Sequence, residues 1–391
     1  MKKVLFFLAI FIFFGNVGLV SAISATEPSA EAALPDSVAH ILIEASTGRV
    51  LSEANADERL APASLTKIML LLLAAEEINA GRLSFDALVT VSSHASKMDG
   101  SVIWLEQGES MSVADLVKSV VISSANDAAV ALAEHISGSE EEFVKLMNRK
   151  AYVLGMSETN FVNAAGYDHP DHYTTAKDAA TMSRALMRDE NYELFSDYML
   201  TRLCSVRAGT DREAQLLNTN KLITYYNGIE GIKTGTTDNA GHCLAAAATR
   251  DDMRLISVVM GCKDEADRVN RTEALLDYGF GNYELYRGFG KDLEPFENLS
   301  VAGGVQRELK LAQIRDDSGI VIQKGRAGDI DYRIYLPEKV TAPIARNQPV
   351  GTVTATLDGK VVHESYITAE HTVHELTLFR VFAFLIRAFL C

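Results

Sequence analysis

The chain has 391 residues, 48% of them hydrophobic and 23% charged, with a formal net charge of −15. That length suits one large domain with a small one, or two of medium size. The acidic balance argues against a nucleic-acid partner, which calls for a basic surface.

Lys2 and Lys3 precede an apolar run from Val4 to Phe14, and Val20-Ser21-Ala22 follows with small residues where a cleavage site needs them. This is the layout of a secretory signal peptide over residues 1–22, cut after Ala22 or, as second choice, after Ala25. The apolar core is short for a spanning helix, which disfavours an uncleaved anchor. Residues 23–35 are small and polar and read as a flexible lead-in. Export permits disulfides, but Cys204, Cys243, Cys262 and Cys391 form no framework, and the apolar runs around Cys243 and Cys262 suit buried free thiols. His371 and His374 lack a third ligand, so no metal site is expected, and the serine chemistry read below needs no organic cofactor.

A catalytic domain is expected over residues 36–283. Val38–Glu44 and Arg49–Ser52 are strand-like runs joined by Ala45-Ser-Thr-Gly48, a hairpin pattern. Pro62 suits the start of a helix, where its missing N–H costs nothing. The following run Ile68–Ala75 has no polar face, which predicts a helix buried at a domain centre. Residues 86–109 read as loop-rich. Ser112 with Asp115 caps a helix to Ile122, Asp127–Ile136 and Glu140–Leu154 are further helices, and Thr175 with Asp178 opens another to about Met187. After Gly228 come three short apolar runs, Ile229–Lys233, Cys243–Thr249 and Leu255–Gly261, and then a helix over Asp267–Tyr278. Strands at both ends with helices between predict an α+β fold: one antiparallel sheet covered by helices on both faces.

Helix signals stop after about Tyr283, residues 298–369 show repeated alternation, and Asp358-Gly359 is a strong two-residue hairpin signal, so a small all-β domain is expected over 284–370. In the tail, 371–391, Arg380 and Arg387 fall on one side of a helix with Thr377 and Ala383. Leu378, Phe382, Leu385, Ile386 and Phe389 fall on the other. That pattern is too short and too charged to span a bilayer and suits an amphipathic helix lying on the membrane surface.

Three motifs occur in order: Ser64-Leu-Thr-Lys67, Ser124-Ala-Asn126 and Lys233-Thr-Gly235. On a helix, positions i and i+3 share a face, which sets the Lys67 amine beside the Ser64 hydroxyl. A free hydroxyl is a poor nucleophile and needs a base in contact. Lys67 serves if burial beside a second cation such as Lys233 lowers its pKa. The ordered triad resembles that of penicillin-binding proteins and serine β-lactamases. In this reading Ser124 relays a proton to the leaving amine and Asn126 bonds a substrate amide. Gly235 allows close backbone approach, Lys233 with Thr234 or Thr236 holds a carboxylate, and the N–H groups of Ser64 and Thr236 form an oxyanion hole.

The whole chain is most similar to type 5 low-molecular-mass penicillin-binding proteins that act as D-alanyl-D-alanine carboxypeptidases. Further stretches that carry the resemblance are GIKTGTTDNAGHCL (231–244), RLISVVMG (254–261), GYDHPDHYTTA (166–176) and ALLDYGF (274–280). The resemblance implies a serine enzyme that removes the terminal D-alanine from peptidoglycan stem pentapeptides and is acylated by β-lactam antibiotics. It also implies an arginine near the substrate carboxylate, a place that Arg268 occupies, and residence on the outer face of the bacterial cytoplasmic membrane. The alternatives are a D,D-endopeptidase and a class A-like β-lactamase. The latter class relies on a loop glutamate, and residues 160–175 contain none.

Overall fold

The computed structural model describes residues 38–288, 293, 296–312 and 319–378. The expected signal peptide, the lead-in and the amphipathic tail beyond Leu378 lie outside the described residues. The chain divides into two units between Asn282 and Tyr283.

The first unit is built on a five-stranded antiparallel sheet. Its strands are β1 (Ala39–Glu44), β2 (Val50–Ala54), β3 (Ile229–Thr237), β4 (Gly241–Arg250) and β5 (Met253–Cys262), in the spatial order β2-β1-β5-β4-β3. The N-terminal hairpin thus joins the three late strands, and β3 is left as an edge. Every residue of β1 is buried, because both faces of the sheet are covered. On one face Ala39, Ile41 and Ile43 enter the main core with Ala245, Ala247, Ile256 and Val258. On the other, Leu42 and Leu255 meet the helix α6 (Glu265–Asn282), and Gly279 permits that approach, since a Cβ there would lie 2.4 Å from Leu255 Cδ1.

The central helix α1 (Thr66–Asn79) is buried at every position from Thr66 to Ala75, as its unbroken apolar run requires. Around it stand α2 (Val113–Ile122), α3 (Asn126–Ser137), α4 (Glu140–Leu154) and α5 (Ala176–Leu186). The predicted caps are present: Ser112 Oγ accepts from Asp115 N at 3.1 Å and Thr175 Oγ1 from Asp178 N at 3.0 Å. Ser64 does not lie in α1 itself. It sits in a 3₁₀ turn, Ala63–Leu65, immediately before that helix. Two hairpins escaped the sequence reading, Leu88–Thr90 with Ser110–Ser112 and Leu203–Val206 with Ala214–Leu217.

The second unit is a set of small sheets around two apolar clusters, one with Leu299, Leu309, Ile344 and Val373, the other with Ile320, Ile322, Ala355 and Leu357. Pro349–Leu357 and Lys360–Ala369 form the predicted hairpin, with Leu357 opposite Lys360. Its turn residues Asp358 and Gly359 both take positive φ, 52° and 76°, as a type I′ turn demands. Cys204, Cys243 and Cys262 are free thiols, the latter two buried. No helix among the described residues is long and apolar enough to cross a membrane.

Candidate active site

Three chain segments converge on the main chain before Ser64. Ala63 has φ +47°, a left-handed conformation that costs an alanine about 1–2 kcal/mol. Its carbonyl accepts from Thr66 Oγ1 at 2.8 Å. Gly166, with φ +93°, passes so close that a Cβ would lie 2.0 Å from Ala63 O. Gly235 of the edge strand β3 is the third neighbour, and a Cβ there would stand 3.1 Å from Ser64 N, Pro62 O and Ala63 Cβ. The glycine of the Lys-Thr-Gly motif therefore lets a sheet edge lie against the Ser64 turn.

Lys67 is fully buried. Its Nζ lies 2.9 Å from Ser64 Oγ, 2.7 Å from Asn126 Oδ1 and 2.5 Å from Ala165 O. Asn126 is oriented by its other end, where Nδ2 donates to Asp99 O at 2.7 Å and to Tyr167 Oη at 3.2 Å. Two of the three oxygens around Nζ are thus acceptors only. A neutral amine has two N–H bonds and one lone pair, so donation to Asn126 and Ala165 leaves the lone pair for the Ser64 hydroxyl. Burial, and then the charge of Lys233, hold the Lys67 pKa well below the usual lysine value, with Asp127 opposing. The Asp127 carboxylate is itself buried and accepts from the N–H groups of Ile103, Leu105 and Ala128.

Ser124 lies in the turn between α2 and α3 with φ +64°. Its buried Oγ has no hydrogen-bond partner among the described residues, an arrangement that costs about 1–3 kcal/mol unless a ligand completes it. Lys233 is also buried, and its Nζ donates only to Thr234 O, at 3.2 Å, among the described residues. Burial and then the Arg268 charge bring its pKa down to about 7. Arg268 donates through Nη1 to Gly235 O at 3.2 Å and to Thr236 Oγ1 at 3.0 Å, while its buried Nε has no partner there. Thr234 Oγ1 donates to Thr219 Oγ1 at 2.6 Å. Two buried cations with unused N–H donors, Lys233 on β3 and Arg268 on α6, make a place for an anion.

Residues 25–264 match the peptidase S11 family, D-alanyl-D-alanine carboxypeptidase, and residues 283–375 match the C-terminal domain of penicillin-binding protein 5. The chain belongs to the S11 family. It is 40% identical to D-alanyl-D-alanine carboxypeptidase DacF of Bacillus subtilis, over 84% of each chain. Penicillin-binding protein 5 of Haemophilus influenzae superposes with a TM-score of 0.77 at 32% identity, over 88% of this chain and all of that one. Penicillin-binding protein D2 of Listeria monocytogenes, in its ampicillin-bound form, gives 0.55 at 32% identity over 62% of this chain and 96% of the other.

In this S11 peptidase Lys67 meets Ser64 and Asn126, Gly235 lies against the Ser64 turn, Arg268 bonds to Gly235 and Thr236 of β3, and Ser124 stands two residues before Asn126. Asn126, expected to bond a substrate amide, has both ends of its side chain engaged within the protein. Sequence reasoning missed the supports behind them. His172 Nδ1 accepts from Val162 N at 2.9 Å, so its Nε2 carries the proton and donates to Thr66 Oγ1 at 2.8 Å. Burial, with His169 second, lowers its pKa to about 4. Asp168 ties the same loop to the end of β3, accepting from Thr237 Oγ1 at 2.6 Å and Asn239 N at 3.2 Å. No group of three metal-ligating side chains occurs among the described residues.

Proposed function

We propose that this peptidase removes the terminal D-alanine from peptidoglycan stem pentapeptides through a Ser64 acyl-enzyme. The observation that carries the reading is the environment of Lys67, whose two obligate acceptors leave the lone pair of the neutral amine to the Ser64 hydroxyl once a proton is lost. Ser64 Oγ attacks the carbonyl of the penultimate D-alanine as its proton passes to Lys67. The N–H groups of Ser64 and Thr236 stabilise the oxyanion. The proton then moves from Lys67 through Ser124 to the departing amine, and D-alanine leaves. Water hydrolyses the ester with Lys67 again as base. Lys233 and Arg268 hold the terminal carboxylate, with Thr234 or Thr236 beside them, and Gly235 gives the substrate room against the Ser64 turn. Asn126 orients Lys67, and it reaches a substrate amide only by exchanging one of its internal bonds. A penicillin carries the same carboxylate and a strained amide, and would acylate Ser64 by the same route.

The test is incubation with labelled penicillin and, in parallel, with a D-Ala-D-Ala pentapeptide. A penicillin adduct lost in Ser64→Ala, together with D-alanine release, supports the carboxypeptidase. Rapid penicillin turnover without D-alanine release would replace it with a lactamase, and preferential cleavage of cross-linked dimers with an endopeptidase. The N-terminal pattern supports export, and the tail supports attachment to the outer face of the cytoplasmic membrane. Deletion of residues 376–391 should then release the protein from membranes, and persistent binding would refute the anchor.

A further inference from the structure

Trp104 is the single tryptophan of the chain. It is 70% exposed, although its neighbours Ile103 and Leu105 are 1% and 4% exposed. Its φ is +56°, a left-handed conformation that costs a bulky L-residue about 1–2 kcal/mol and persists only where the surroundings impose it. They do so here from both sides. Ile103 N and Leu105 N donate to the buried carboxylate of Asp127, at 3.1 and 3.0 Å. Arg207 donates to Ile103 O, and Arg212 Nη2 donates to Trp104 O at 2.7 Å. Both arginines pair with Glu109, at 3.2 and 3.0 Å. An apolar singleton on a surface needs no explanation. A large aromatic fixed in a strained conformation, with the residues on either side pinned, does.

The clamped segment belongs to the active-site wall. Asp99 O and Ser101 O both accept from Asn126, the residue that orients Lys67. Three residues of chain reach at most about 11 Å, so Trp104 stands within that distance of Ser101, less than an extended pentapeptide spans. The hairpin whose loop holds Trp104 O through Arg212 ends at Leu217, two residues before Thr219, and Thr219 accepts from Thr234 of the Lys-Thr-Gly strand. That hairpin and the two residues after it thus link the Trp104 main chain to the edge strand.

We propose that Trp104 is a binding platform whose indole face stacks on a C–H-rich part of the muropeptide, upstream of the D-Ala-D-Ala end. The inference rests on the function proposed above. An indole offers wide apolar contact without charge. That suits either of two sources in the same substrate, the aliphatic side chains of the stem peptide or the C–H face of the sugar that bears it.

Because the chain has one tryptophan, its own fluorescence reports the platform. Full-length Ser64→Ala protein is titrated with the pentapeptide alone and with the disaccharide-pentapeptide, and binding is measured independently by calorimetry. A shift of emission to shorter wavelength with the pentapeptide supports the proposal and assigns the peptide, and a shift only with the disaccharide form supports it and assigns the sugar. No binding of either, or binding with unchanged emission, overturns it. In the active enzyme, Trp104→Ala should lower kcat/KM about tenfold more for the assigned ligand than for a D-Ala-D-Ala dipeptide ester. Equal losses on both would also overturn the proposal. D-alanine release by the unsubstituted chain is scored separately, so its failure counts against the function and not against the platform.

Discussion

The two buried lysines of the site are alike in exposure and opposite in their partners. Lys67 has three oxygens within 2.9 Å, whereas Lys233 has one long contact, to Thr234 O at 3.2 Å. Burial lowers both pKa values, and each is lowered further by the next cation along, Lys67 by Lys233 and Lys233 by Arg268. A depressed pKa alone therefore does not tell base from anion holder. The hydrogen-bond inventory does separate the two: Lys67 has an oxygen for every N–H it can offer, whereas Lys233 keeps N–H bonds to spare for a ligand.

The largest effect expected from breaking this contrast is on the amine side. Lys67→Arg keeps a cation but supplies a guanidinium that stays protonated, so it has no lone pair for Ser64. Penicillin acylation should fall by about 10³-fold or more, within reach of what general-base removal costs. Stopped-flow acylation rates decide it, and a loss below tenfold would mean that Lys67 is not the base. Next in size is Gly166→Ala, whose Cβ would meet Ala63 O at 2.0 Å in a backbone conformation already unsuited to alanine. A loss of about 3 kcal/mol in urea unfolding is expected. Gly235→Ala, with its nearest contacts at 3.1 Å, should cost clearly less stability while slowing acylation, because Ser64 N is one of the atoms that must give way.

Much of this was legible in sequence, and the rest was not for a physical reason. Glu140–Leu154 is the helix the sequence predicts, to the residue, and what bounds it in the structure, the Ser139 cap before it and Gly155 after it, is local. The hairpin Leu203–Val206 with Ala214–Leu217 escaped because its strands are four residues long and carry no alternation strong enough to see. In the site, Ser64, Lys67, Ser124, Asn126 and Lys233 are proposed from three short motifs in order, since side-chain chemistry must be spelled in residue types. Ala165 O and Asp99 O, which complete Lys67 and Asn126, are main-chain carbonyls that any residue supplies. Asp127 and His172 act through backbone N–H groups and Thr66, contacts that only the fold creates.

On the anion side, Arg268→Gln removes a charge-assisted contact worth roughly 1.5–3 kcal/mol. A fall of about 10- to 100-fold in kcat/KM for the pentapeptide follows. The pH profile sharpens the contrast. Lys233 must be protonated to hold a carboxylate, so kcat/KM should decline as pH rises through about 7, its pKa in the free enzyme. Arg268 is a cause of that low value, so Arg268→Gln should move the alkaline limb to higher pH. An unmoved limb would assign it to another group.

The smallest effect separates the two sides by acid. His172 supports the Ser64 turn through Thr66, and no equivalent group backs Lys233 among the contacts described above. Its pKa is about 4 in the fold against an ordinary 6.5, so between those values the unfolded chain binds the proton and the folded one does not. Stability is therefore fully present above about pH 6.5 and is lost as pH falls toward 4. From pH 7 to 5.5 the loss should be about 1 kcal/mol, since each pKa unit is worth about 1.4. Protonation would also set an N–H at Nδ1 against the N–H of Val162 and so loosen the loop that presents Ala165 O to Lys67. His172→Gln keeps a donor for Thr66 without a titrating proton. Its urea midpoint should lose that share of the pH dependence, and an unchanged slope between pH 7 and 5.5 would show that His172 is not what makes the base side of the site acid-sensitive.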